Sequence, residues 1–89
     1  MKRIHVIING NVQKVGFRYS VYWIARLNDI KGWVRNLDDD KVEGVFEGED
    51  DKLDKILEFC KKGPFLANVK DVKVKEQEFK CEKSFKILR

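Results

Sequence analysis

Residues 10 to 18 read Gly-Asn-Val-Gln-Lys-Val-Gly-Phe-Arg, a set of types suited to gripping an anion. Gly10 and Gly16 permit backbone geometries that other residues resist. Arg18 brings a charged fork that binds phosphate oxygens bidentately, and Lys14 adds a second positive charge. If this segment joins a strand to a helix, the unpaired N–H groups and dipole of the helix start strengthen the attraction. It is not a P-loop, because the Gly-Lys-Ser/Thr ending is absent. On this physics alone a plain structural turn remains open. Other reactive groups are few. His5, the one histidine, lies in an apolar stretch and is expected to be packed or hydrogen-bonded. Cys60 and Cys81 lack metal-ligand spacing and are expected as free thiols, Cys60 as a small buried hydrophobe. Asp38-Asp39-Asp40 reads as a solvated turn, not a metal site. With one His and two Cys, no structural zinc site is expected.

These residues must be placed by the elements around them. Residues 3–9 alternate as a strand with apolar side chains in both phases, which suits a central position. Residues 18–29 have a noisy helical pattern through Val21, Ile24, Ala25 and Leu27, with stop signals at Asn28-Asp29. Residues 32–37 and 41–47 read as two strands of a hairpin around the Asp38–Asp40 turn, with Trp33 and Phe46 in the core or on a sheet face. Residues 51–62 give the clearest helix, with Leu53, Ile56, Leu57 and Cys60 on one stripe and Gly63-Pro64 ending it. Residues 67–76 alternate with a phase break near Asp71, and residues 85–88 form a short last strand.

The order β-α-β-β-α-β plus a final strand predicts an α+β, ferredoxin-like sandwich. Four antiparallel strands and a short fifth would carry both helices on one face. A helical crossover makes the first two strands parallel, so both end at the same edge of the sheet. The Gly10–Arg18 loop and Asn36, at the end of the second strand, are thereby predicted to meet.

With 89 residues, the chain is expected to form a single domain over 1–89. Its 43% hydrophobic content suffices for one core and argues against disorder. A net charge of +4 favours anions, but 19 basic against 15 acidic residues is too even for a nucleic-acid tail. The apolar run Ile4–Ile8 is too short for a signal-peptide core, and no stretch approaches the roughly 20 apolar residues of a membrane span. A cytoplasmic location without a membrane partner is expected.

The motif Gly10-Asn11-Val12-Gln13-Lys14-Val15-Gly16-Phe17-Arg18 closely resembles the first motif of the acylphosphatase family. Gly32-Trp33-Val34-Arg35-Asn36-Leu37, followed by Val42-Glu43 and Gly48, resembles the second at matching spacing. Gly63-Pro64, Ala67–Val69 and Phe85-Lys86-Ile87 fit less specifically, and the resemblance spans essentially the whole chain. It implies an acylphosphatase, a hydrolase of the carboxyl–phosphate bond of acyl phosphates, with no metal, cofactor or covalent intermediate. By match, Arg18 and the backbone of Val12, Gln13, Lys14, Val15, Gly16 and Phe17 form the phosphate-binding loop, and Asn36 positions the attacking water. Implied partners are a small-molecule acyl phosphate and inorganic phosphate or sulfate as a bound anion. No nucleic acid is implied, and a monomer is expected.

The chemistry is consistent with that division. An acyl phosphate has a stable carboxylate leaving group, so placing a water and stabilising phosphoryl charge is most of the task. Two positions depart from the family pattern. Lys14 stands where Gly is usual, at a cost of about 1–2 kcal/mol if φ there is positive; activity is expected to be retained. Asp40 also stands where Gly is usual, and Asp tolerates left-handed turns. Two rival readings are carried. One is an RNA-binding module, which needs exposed aromatics on the central strands; His5, Ile7, Asn9, Glu43, Val45 and Glu47 do not supply them. The other is a free-standing relative of acylphosphatase-like domains of larger maturation enzymes, acting on carbamoyl phosphate or only binding.

Overall fold

In the computed structural model, which describes residues 1–13 and 15–88, the first alternating segment is strand β1 (Lys2–Asn11). Its Ile4, Val6 and Ile8 are buried on one face, while His5 and Ile7 on the other stay half-buried. Helix α1 (Phe17–Leu27), strands β2 (Lys31–Asn36) and β3 (Val42–Gly48), helix α2 (Asp50–Lys62) and strands β4 (Asn68–Gln77) and β5 (Phe85–Ile87) follow. Each boundary lies within two residues of the one read from sequence. α1 stops as its residue types dictate: the Asn28 side chain donates to the Ile24 carbonyl at 2.8 Å, and Asp29 takes φ 53°.

The strands lie in the order β4-β1-β3-β2-β5. β1 pairs antiparallel with β3 and β4, and β2 antiparallel with β3, so β1 and β2 run the same way, as the crossover requires. This is the ferredoxin-like α+β fold. One detail corrects the sequence reading. The sheet is mixed, because β5 pairs parallel with β2 in the register Gly32↔Phe85, Trp33↔Lys86, Val34↔Ile87. After β4 the chain crosses the sheet from one edge to the other and enters β5 in the direction of β2. A three-residue strand carries no periodicity from which that direction could be read.

Both helices pack on one face. Ile4, Val6, Ile8, Val34, Val42 and Phe46 from the sheet meet Phe17, Val21, Ala25, Leu53, Ile56 and Cys60 from the helices in a single core. The Phe17 and Phe59 rings join the two helices at 5.7 Å, and Phe46 stacks on Phe85 at 5.8 Å. Burial pushes the Cys60 thiol up to about 12, so it packs as a hydrophobe and is no nucleophile. Cys81 is exposed. No helix among the described residues is long and apolar enough to cross a membrane.

The phase break near Asp71 has a physical cause. The β1–β4 register runs Ile8↔Val72, Asn9↔Asp71, then shifts to Gly10↔Val69. Lys70 is the extra residue, so Val69 and Val72, three apart, both pack on the core. Gly10 sits at this shift with φ 140°; a Cβ there would run into the Asn68 carbonyl and the Lys70 amide.

The opposite sheet face is strapped by residues 78–84. Arg3, 5% exposed, donates to Glu47 at 3.0 Å and to Glu82 at 2.8 Å through Nη1, and to Gln77 through Nε. Glu47, 2% exposed, also accepts the backbone N–H groups of Lys80 and Glu82 at 2.7 and 2.6 Å. Burial works to raise the Glu47 carboxyl, but these backbone donors and Arg3 outweigh it and hold it below the usual range. Alongside, Glu43 accepts from His5 at 2.7 Å and from Arg35 at 2.6 Å, and Arg35 lies over Trp33. Burial opposes ionisation of Glu43 as well, and its two partners again prevail and lower it. His5 is thus hydrogen-bonded, as its setting suggests, and on this face β1 and β3 present Arg3, His5, Ile7, Glu43, Val45 and Glu47.

Candidate active site

The loop between β1 and α1 is pinned from within. Val12 is fully buried, Phe17 is 2% exposed, and Val15 packs against the core. Anchoring these side chains holds both described ends of the loop at the sheet edge. Gly16 ends the loop with φ 78° and ψ 15°, the left-handed region where a Cβ costs about 1–2 kcal/mol. It is the residue preceding α1, and the first helical bond runs from the Ser20 N–H to its carbonyl at 3.0 Å. The N–H groups ahead of that bond have no intrahelical partner. Gly16 has no side chain to cap them, and no acidic residue stands in the first turn. α2 is built differently, with Asp50 and Asp51 in its own first turn. The start of α1 thus lacks the acidic side chains that stand at the start of α2.

Arg18 lies in that first turn, half-buried, and forms no ion pair among the described residues. Asn36 reaches the same place from the end of β2. A cavity of about 160 Å³ is lined by Val12, Gln13, Gly16, Phe17, Arg18, Tyr19 and Asn36. It adjoins a wider cleft of about 550 Å³ lined by Arg18, Tyr19, Asn36, Ile87 and Leu88. Residues 18 and 36 thus share both spaces. Asn36 Oδ1 is covered from solvent and has no hydrogen-bond partner, the one such buried side-chain atom among the described residues. A buried amide oxygen left unpaired costs about 1–3 kcal/mol, and no donor among the described residues offsets it here.

The Gln13 side chain was not anticipated. Its Nε2 donates to the Leu37 carbonyl at 2.8 Å and the Lys41 carbonyl at 2.9 Å, crossing from the loop to the neck of the β2–β3 hairpin. The sequence reading used only the backbone of this residue, and no local signal reveals a partner some 24 residues away. Tyr19, Ile87 and Leu88 were also missed, because the parallel pairing of β5, extended by Leu88 N–H to Val34 O at 2.8 Å, brings the last two to the cleft. The departure at Lys14 lies outside the described residues. Asp40 adopts φ 61° in the exposed hairpin turn, as its residue type allows. Among the described residues no group of three or more His, Cys, Asp or Glu could hold a metal ion.

The arrangement can seat a small tetrahedral anion on amides and a guanidinium, with a carboxamide beside it. Comparisons with known proteins point the same way. A family model described as Acylphosphatase matches residues 4–87. An acylphosphatase of Pyrobaculum aerophilum is 50% identical, over 99% of this chain and 95% of that protein. The crystal structure of acylphosphatase from Bacillus subtilis superimposes with a TM-score of 0.95 at 36% identity, covering each chain fully. Full-length HypF, in its phosphate- and nucleotide-bound form, contains a region matching 99% of this chain and 12% of its own length, with a TM-score of 0.87 and 31% identity.

Proposed function

We infer the roles of individual residues from one premise: the chain belongs to the acylphosphatase family and hydrolyses the carboxyl–phosphate bond of acyl phosphates. The phosphoryl group occupies the 160 Å³ cavity. The backbone N–H groups of residues 12–17, ending at the uncapped start of α1, and the Arg18 guanidinium hold its oxygens. These donors face the equatorial oxygens, where charge gathers as the bond to the leaving group breaks. The acyl portion lies in the wider cleft against Tyr19, Ile87 and Leu88.

Asn36 holds the nucleophilic water. Its carboxamide lines the cavity and hydrogen-bonds the water, which aims an oxygen lone pair at phosphorus. The water oxygen forms the new bond to phosphorus, the bond to the acyl oxygen breaks, and a carboxylate leaves with that electron pair. Among the described residues no carboxylate or histidine lines the cavity, so the water's proton passes to a phosphate oxygen. Inorganic phosphate, the product, and sulfate, its mimic, compete for the same donors.

We further read residues 1–89 as a single domain working as a monomer, since one core and one chain supply every residue of the site. Two free cysteines fit a reducing, cytoplasmic setting.

The observation that carries this reading is the convergence of Arg18 and Asn36, from the first turn of α1 and the end of β2, on one cavity. Steady-state hydrolysis of acetyl phosphate by the wild type, Arg18→Ala and Asn36→Ala tests it. Each substitution is expected to slow turnover by about 10²–10³-fold. Equal rates for the three proteins overturn the assignment.

A further inference from the structure

We propose that Gln13 is a positioning residue that sets Asn36 against the phosphate loop through the neck of the β2–β3 hairpin. The inference rests on the roles given above to the loop and to Asn36, and deepens them. The rung Asn36↔Val42 is the last of the β2–β3 ladder. Beyond it the chain turns through the exposed residues Asp38–Asp40. The end of a two-strand ladder frays unless something holds it. Here the Leu37 N–H donates to the Lys41 carbonyl at 2.8 Å, and Gln13 Nε2 donates to the carbonyls of both residues. Leu37 follows Asn36 and Lys41 precedes Val42, so one amide group grips both strands immediately beside the rung that carries Asn36.

The other end of the same side chain is part of the anion loop, flanked by buried Val12. Gln13 therefore spans the two halves of the site that meet in the cavity, whose lining includes Gln13 itself. The chemistry of the residue is specific. Two hydrogens on one nitrogen satisfy two carbonyl oxygens; a glutamate of the same length offers none when ionised, and an asparagine is one methylene shorter. A water aimed at phosphorus tolerates little displacement, since an error of about 1 Å can cost as much as 10²-fold in rate.

The test uses the full chain, acetyl phosphate as substrate and inorganic phosphate as competitive inhibitor. Gln13→Ala is expected to lower kcat about 10-fold, while the inhibition constant of phosphate stays within about 3-fold. The loss should vanish in the Asn36→Ala background, because Gln13 acts through that side chain. Gln13→Glu keeps the shape and makes the donor titratable. At neutral pH its carboxylate faces two carbonyl oxygens; once protonated it donates to one of them. The ratio of Gln13→Glu to wild-type kcat should therefore rise as pH falls from 7 to about 4.5, near the ordinary glutamate range. A merely structural residue would give a ratio without that dependence.

Unchanged kcat in Gln13→Ala overturns the proposal, as do full additivity with Asn36→Ala or a flat Gln13→Glu ratio. If Gln13→Ala does not fold, the Gln13→Glu profile decides alone. A wild type inactive on acyl phosphates would instead remove the residue roles on which the inference stands.

Discussion

The strapped sheet face and the cavity at the start of α1 both hold polar groups partly or wholly withdrawn from water, yet they are finished differently. Under the strap, Arg3 and Glu47 are almost fully buried and each charge has partners: Glu82, Gln77 and two backbone N–H groups complete the set. At the cavity, Asn36 Oδ1 has none, the start of α1 has no cap, and Arg18 has no counter-ion among the described residues. The difference teaches where binding energy is held in reserve. A satisfied network holds the fold together; an unsatisfied one costs stability and interacts strongly with what enters.

The comparison predicts that damage in the first region appears as lost stability and damage in the second as lost rate. Arg3→Ala should show this most strongly. It leaves the buried Glu47 carboxylate without its cation, at a cost of about 3–5 kcal/mol in urea unfolding, while kcat of the folded fraction is kept. An Arg3→Ala protein as stable as the wild type would break the distinction.

Acid should give the next effect. Glu47 and Glu43 are held below the ordinary carboxyl range in the fold. A lowered folded value contributes stability that is present above the unfolded value, about 4.3, and lost as pH falls through the folded one. Unfolding free energy measured from pH 7 to 2 should thus decline below about pH 4.5. Glu47→Gln should make that decline shallower, and an unchanged slope would assign it to other groups.

The smallest effect has the opposite sign. Asn36→Leu removes the orphaned amide oxygen and should raise stability by about 1 kcal/mol in urea unfolding, even as hydrolysis falls as far as in Asn36→Ala. A less stable Asn36→Leu protein would mean that this amide is satisfied in solution and that the contrast is less sharp than drawn.

Much of this molecule was legible in the chain because its signals are local. Period-two and period-3.6 patterning gave the longer elements, the crossover gave parallel β1 and β2, and the motif glycine at position 16 does take the left-handed geometry. The meeting of Arg18 and Asn36 followed from topology. What was not legible depends on register or on a distant return of the chain. Glu43 and Glu47 read as ordinary strand residues until pairing brings His5, Arg35 and Arg3 beside them. The direction of β5, and with it the places of Ile87 and Leu88, follows from a crossing that no pattern announces. Gln13 looked like loop filler because its partners lie on another hairpin.

The strand order carries a last consequence, for how the molecule comes to be. Only β2 and β3 are neighbours both along the chain and in the sheet. Every other pairing joins segments far apart in sequence, and the entropy of closing those long loops must be met before their contacts repay it. The hairpin that ends in Asn36 can form early by itself. The anion loop acquires its shape only when β1 has been inserted between β3 and β4. Catalytic competence is thus a property of the completed sheet, and no earlier fragment of the folding route possesses it.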